Sequence, residues 1–225
     1  MAGILTLSGW GQPHDALEAV APGATHVNYA KHGSAEAALS AIADTGRGYD
    51  TVIGWSLGGQ LAVRAVAAGM LAPKKLVLIA APFQFVGGEA GMGRDTYKKF
   101  RDNYAKNPAR TLDKAWALIH QGDTRVGYIE KQLEAQDKNA VLRHDWLRWL
   151  EAMEDFSFSD IPLAGMPKTL LIHGGADVVV APQQSRYFAK MLPQAELMML
   201  PGAGHAPHWH DTEAVAAAIK EFARV

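Results

Sequence analysis

The run Leu76-Val77-Leu78-Ile79-Ala80 constrains the fold of this chain more than any other stretch. Five consecutive apolar residues leave no face for water, so they fit a strand covered on both sides, and such strands belong to parallel sheets sandwiched by helices. The surrounding sequence alternates accordingly. Ile4 to Leu7 reads as a short buried strand, Asp15 to Ala21 as a short helix closed by Pro22-Gly23, and Thr25 to Tyr29 as a brief strand. Ser34 caps a helix running through Ile42 that Gly46 and Gly48 end. Asp50 to Trp55 is a strand, and Leu57 to Ala68 a helix with Leu57, Leu61, Ala65 and Ala68 on one stripe. After Ala81-Pro82 the rhythm breaks, and residues 83–160 carry helical stretches with no strand-like run. It returns with a strand from Lys168 to His173, a helix from Pro182 to Leu192, a strand from Ala195 to Leu200 and a helix from Thr212 to Val225. The expected class is α/β: a mostly parallel sheet of about six strands flanked by helices, with right-handed crossovers. Residues 1–225 form a single domain, and 83–160 a helical lid inserted within it. The lid aromatics, from Phe85 to Phe158, are expected mainly as its own core.

Composition narrows the function. At 225 residues the chain can bury a full core. Twenty-two Lys+Arg against 23 Asp+Glu give net charge −1, so no global basic field argues for nucleic acid or an anionic membrane. The absence of cysteine removes disulfides, thiolate metal sites and a cysteine nucleophile, and fits a cytoplasmic protein. The start lacks the basic n-region and long apolar run of a signal peptide, no stretch resembles a membrane span, and a monomer is expected.

The chemistry centres on Gly54-Trp55-Ser56-Leu57-Gly58, a Gly-x-Ser-x-Gly between an expected strand and an expected helix. A serine hydroxyl needs an adjacent base and an exposed perch to act as a nucleophile. A tight strand-to-helix turn supplies the perch, the glycines allow the close approach, and the Leu57 N–H sits where a helix N-terminus can face an oxyanion. Gly9-Trp10-Gly11, after the first strand, is placed to give a second such donor, although its glycines would equally serve a plain turn. Asp177 and His205 follow the ends of later strands, on the same sheet edge as Ser56. Alone, Asp177 could cap the following turn and His205 could be an ordinary loop histidine. Together, in the order Ser, Asp, His, they fit a triad in which His205 moves the Ser56 proton and Asp177 orients the imidazole. His205, His208 and His210 do not have the spacing of a helical metal pair; His208 and His210 are expected at the surface or rim, and His173 as a packing and hydrogen-bonding neighbour. No metal or cofactor is expected.

With these motifs the chain resembles the α/β-hydrolase superfamily over its whole length. Within it, Gly9-Trp10-Gly11, the Gly54-Trp55-Ser56-Leu57-Gly58-Gly59 elbow and Gly204-His205-Ala206-Pro207 are similar to the pimeloyl-[acyl-carrier protein] methyl ester esterases of biotin synthesis. The resemblance implies a triad of Ser56, Asp177 and His205, an oxyanion hole from the Trp10 and Leu57 N–H groups, and Trp10 lining the acyl pocket; Phe83 is a further substrate-contact candidate. It also implies that basic lid residues meet acyl carrier protein, the candidates being Arg110, Lys114, Arg125, Lys131, Arg143 and Arg148, each of which could equally lie on a solvated helix face. The chain departs from the family in Ser8-Gly9, where His-Gly is usual, and in beginning almost at the oxyanion strand without the antiparallel hairpin that normally precedes it. The expected function is a serine carboxylesterase acting on the carrier-bound methyl ester. The alternatives are a small-substrate esterase, thioesterase or C–C hydrolase, and a non-catalytic ligand-binding protein on the same scaffold.

Overall fold

The computed structural model describes residues 3–154, 156–161, 165–192 and 194–224; the expected end of the last helix at Val225 lies outside them. In chain order the elements are β1 (Ile4–Leu7), β2 (Thr25–His26), α1 (Ala35–Gly46), β3 (Thr51–Trp55), α2 (Leu57–Ala67) and β4 (Lys75–Ile79). Five helices follow: α3 (Arg94–Lys106), α4 (Pro108–His120), α5 (Val126–Glu134), α6 (Lys138–Leu142) and α7 (Leu147–Glu154). The chain then makes β5 (Lys168–Gly174), α8 (Gln183–Met191), β6 (Glu196–Leu200), α9 (Pro207–His210) and α10 (Thr212–Arg224).

The six strands form one sheet in the order β2-β1-β3-β4-β5-β6. Every pairing is parallel, so the sheet is parallel throughout the described residues rather than mostly so. All five residues of β3 are buried, as are the last four of β4 and the last six of β5; β4 is the run that the sequence marks as covered on both faces. From β1 the chain goes to β2 on one side and to β3 on the other. That reversal opens a crevice at the carboxyl ends of β1 and β3, where open α/β sheets bind ligands. Gly9-Trp10-Gly11 leaves β1 there, and Ser56 leaves β3.

Between β4 and β5 the only strand-like pairings among the described residues are two isolated bridges, one of them Gln84 with Ser157. That bridge, with the Phe158 N–H donating to the Phe83 carbonyl at 3.0 Å, ties the beginning of the helical block to its end. Within the block, α4 shows why these helices form: Asn107 caps it through a bond from the Arg110 N–H, Pro108 occupies its first turn, and Leu112, Trp116 and Ile119 are buried on one stripe. No helix among the described residues is long and apolar enough to cross a membrane.

Three elements differ from expectation. The strand expected over Thr25 to Tyr29 is limited to Thr25–His26, and Tyr29–Lys31 form a 3-10 turn instead. Residues 15–21 do not form a helix but a chain of turns, with Glu18 N–H to Asp15 O at 2.9 Å and Val20 N–H to Leu17 O at 3.1 Å. A segment this short has little helical stability of its own, and burial of Leu17, Val20 and Ala21 fixes its shape instead. The single turn α9, with Pro207 at its start, falls in a stretch read from sequence only as loop.

Candidate active site

Ser56 joins β3 to α2 with φ of 52°, a left-handed conformation that costs a β-carbon-bearing residue free energy and is tolerated only where the surroundings enforce it. The Ser56 N–H donates to the Ile79 carbonyl at 2.8 Å, and the Gln60 N–H to the Ser56 carbonyl at 3.1 Å. The turn is tight because α2 lies against β1: a β-carbon at Gly58 would fall 2.1 Å from the Leu7 carbonyl oxygen, so only glycine fits there.

The three candidate catalytic side chains meet above the carboxyl edge of the sheet. His205 Nε2 is 3.0 Å from Ser56 Oγ, and His205 Nδ1 is 2.8 Å from Asp177 Oδ2. All three residues are buried. Asp177 is anchored from its other oxygen, which accepts the N–H groups of Val179 at 2.8 Å and Val180 at 2.9 Å. Burial by itself would raise its pKa, but the His205 charge and hydrogen bonds from His173 and His205 outweigh that and hold the carboxyl well below the usual carboxylate range. Asp177 therefore stays anionic and orients His205 as the Nδ1–H tautomer, leaving Nε2 free to accept the Ser56 proton.

His173 takes the neighbouring place expected for it. Its Nε2 lies 2.9 Å from the Val180 carbonyl and 3.1 Å from Asp177 Oδ2, while Nδ1 meets the Ser185 hydroxyl. A carbonyl and a carboxylate both require a donor, so Nε2 carries the proton and Nδ1 accepts from Ser185.

Above Ser56 lies a cavity of about 150 Å³ walled by Trp10, Phe85, Phe100, Trp116, Leu150 and Met153 among others, with Ser56 and His205 at its base and, among the described residues, no Asp, Glu, Lys or Arg in its lining. Several of the block's aromatics thus do more than fill its core. The Trp10 loop is held to the block from both sides: Trp10 Nε1 donates to the Trp146 carbonyl and Trp116 Nε1 to the Gly11 carbonyl, each at 2.9 Å. Among the described residues neither the Trp10 nor the Leu57 backbone N–H has an acceptor within the chain.

Other expectations fare differently. Phe83 does not line the cavity; its ring packs edge-on against Phe158, Tyr187 and Phe188, because the chain turns away from the sheet edge at this point to pair with the end of the block. His208 is not at the surface. It is fully buried with both ring nitrogens unpartnered and its ring centroid 4.5 Å from that of Trp55; burial, followed by the nearby His205, pushes its pKa down to about 3. His210 is half-buried and bonds Asp123 Oδ1 at 2.8 Å. His205 and His210 turn to two different carboxylates and His208 packs on the Trp55 ring, so the three do not converge on a common point. Of the six basic candidates, Arg125 is bonded to the His210 carbonyl and Arg148 to Asp145 at 2.8 Å, while Arg110, Lys114, Lys131 and Arg143 are exposed. Sequence reasoning missed Asp123, a buried carboxylate in the turn between α4 and α5; a Gly-Asp-Thr turn carries no local sign of a partner some 80 residues away.

Comparison with known proteins agrees with this architecture. A model of an alpha/beta hydrolase family matches residues 4–218. The pimeloyl-[acyl-carrier protein] methyl ester esterase of Nitrosomonas europaea is 31% identical over 174 residues, covering 74% of this chain and 68% of that protein. The biotin biosynthesis bifunctional protein of Cellvibrio japonicus is 25% identical over 175 residues, which are 76% of this chain but 34% of that protein, so the chain matches about a third of its length. The crystal structure of a bromoperoxidase from Bacillus anthracis superposes with a TM-score of 0.85 over 100% of this chain and 93% of that one, at 16% identity; that likeness speaks for the fold alone.

Proposed function

The chain belongs to the alpha/beta hydrolase family, and on that premise we propose that it is a serine carboxylesterase that removes the methyl group from pimeloyl-acyl carrier protein methyl ester in biotin synthesis. The observation that carries the chemistry is the continuous path from Ser56 Oγ through His205 to Asp177, at 3.0 and 2.8 Å, beneath an apolar cavity.

In this reading His205 Nε2 takes the Ser56 proton as Oγ attacks the ester carbonyl. The oxyanion accepts the Trp10 and Leu57 N–H groups, each such donor contributing about 3 kcal/mol to the barrier reduction. His205 then protonates the departing methoxide, and methanol leaves an acyl-serine. A water deprotonated by His205 attacks that ester, and return of the proton to Ser56 releases the acid. The apolar wall supports an uncharged ester as substrate and favours loss of the product, because a carboxylate is poorly solvated there.

The carrier-bound substrate has separate support. In this reading the cavity of about 150 Å³, smaller than the roughly 300–1,000 Å³ of pockets that enclose a drug-sized ligand, takes only the ester end of the substrate, and the rest lies outside. Relatives named for the carrier-bound methyl ester point the same way. The basic candidates then meet an acidic carrier, with Arg110, Lys114, Lys131 and Arg143 open for the role.

The test compares kcat/KM for pimeloyl-acyl carrier protein methyl ester with that for p-nitrophenyl acetate. A preference of about a hundredfold or more for the carrier-bound ester is expected. A second reading, a small-substrate esterase, is favoured by the cavity size, and turnover without carrier preference would select it.

A further inference from the structure

The loop that carries His205 is bonded along one flank to the helical block. The His205 N–H donates to the Ile119 carbonyl at 3.0 Å, in the last turn of α4, and the Thr124 N–H to the Gly202 carbonyl at 2.9 Å. The Arg125 guanidinium reaches the His210 carbonyl. At the centre is Asp123, whose side chain is 1% exposed. Its Oδ2 accepts the Gly204 N–H at 2.7 Å, and its Oδ1 accepts the Arg125 N–H at 2.7 Å and lies 2.8 Å from His210 Nδ1.

We infer that Asp123 is a positioning residue for His205: its carboxylate fixes the backbone immediately before the proposed base, and so sets the reach of the imidazole to Ser56. This role rests on the serine-esterase reading above. The geometry leaves the loop little alternative. A β-carbon at Gly204 would lie 2.7 Å from the Ile119 carbonyl oxygen, so loop and helix are already at contact distance, and Asp123 holds them in one register. A carboxylate can accept all three bonds on its two oxygens. An asparagine has one acceptor oxygen, and its amide nitrogen would face an N–H whichever way it is turned. A displacement of about 1 Å at a catalytic group can cost on the order of a hundredfold in rate, so a small relaxation at Gly204 is enough to matter. The same helix, α4, gives Trp116 and Ile119 to the cavity wall; the element that meets the acyl group also holds the loop of the base.

The experiment uses the full chain with Asp123→Asn and Asp123→Ser made in parallel, so that one folded variant suffices. Active sites are counted by fluorophosphonate labelling of Ser56, and kcat and KM are measured on p-nitrophenyl acetate. Per labelled site, kcat is expected to fall at least tenfold with KM within twofold, and the downfield proton resonance of His205 Nδ1 is expected to shift or broaden. His210→Gln, which leaves the Gly204 bond in place, is expected to keep kcat within threefold. Wild-type kcat per labelled site in the folded Asp123 variants, whatever their thermal stability, overturns the inference, as does a loss confined to KM. If the wild type itself neither labels at Ser56 nor turns over ester, the serine-esterase reading fails and takes this role with it, an outcome distinct from active wild type beside active variants.

Discussion

Asp177 and His208 are both buried beside His205, and their different charge states follow from the hydrogen bonds that one has and the other lacks. Asp177 receives hydrogen bonds from His173, His205 and two backbone N–H groups and remains anionic. His208 has no bond to either nitrogen and remains neutral. Substituting Asp177→Asn removes the group that fixes the His205 tautomer, and kcat on any ester is expected to drop by about 10⁴-fold, read directly from initial rates. For His208 the consequence is acid sensitivity. Its folded pKa lies near 3 against an ordinary value of 6.5, so between these values the unfolded chain binds the proton and the folded chain does not. Stability is thus lost as pH falls through that window, by roughly 2 kcal/mol between pH 7 and pH 5. His208→Phe keeps a ring against Trp55 and removes the titration. Urea unfolding at the two pH values is expected to show a smaller acid loss in the variant; an unchanged loss would place the sensitivity elsewhere.

At the scale of elements, local signals were legible where the chain interacts with itself nearby. Ser34 was readable as a cap, and its Oγ accepts the Ala37 N–H at 3.1 Å; Ser34→Ala is expected to cost about 1 kcal/mol, measured by chemical denaturation. The buried strands were readable from their apolar runs, and the order of Ser56, Asp177 and His205 from their places after strand ends, which the sheet then brings together. What could not be read depends on contacts distant in sequence. The turns at 15–21 take their shape from burial rather than helical propensity. Phe83 sits where the block closes on itself, and His208 is buried because α9 folds it beneath Trp55. The cavity is likewise assembled from loops and from helices α3, α4 and α7, and no single stretch announces its size. Enlarging Ala115, on its α4 wall, tests that assembly. Ala115→Leu is expected to lower kcat/KM for p-nitrophenyl hexanoate about tenfold relative to the acetate, since even one methylene in an apolar pocket is worth roughly 1–3 kcal/mol; equal effects on both esters would contradict the assignment of the wall.

For the whole molecule, the sheet order places a switch point between β1 and β3, and the site lies at that point with the helical block above it. The block meets the sheet through the Trp10 loop and the His205 loop, so the proposed oxyanion donor and the proposed base are both braced by helices that also wall the cavity. The exposed face of the block carries the proposed contact with the carrier protein. Reversing charge at Arg110, Lys131 and Arg143 together is expected to raise KM for the carrier-bound ester about tenfold at low salt, with the effect shrinking as salt screens it, while p-nitrophenyl acetate hydrolysis stays within twofold. Equal loss on both substrates would remove the face from the account. The central claim, that Ser56 is the nucleophile of this assembly, is tested most directly by intact-mass and peptide mapping after reaction with a fluorophosphonate. One adduct per chain on Ser56, with esterase activity lost in proportion to labelling and Ser56→Ala both unlabelled and inactive, is the expected result; full esterase activity in Ser56→Ala, or an adduct on another residue that accounts for the lost activity, would contradict it.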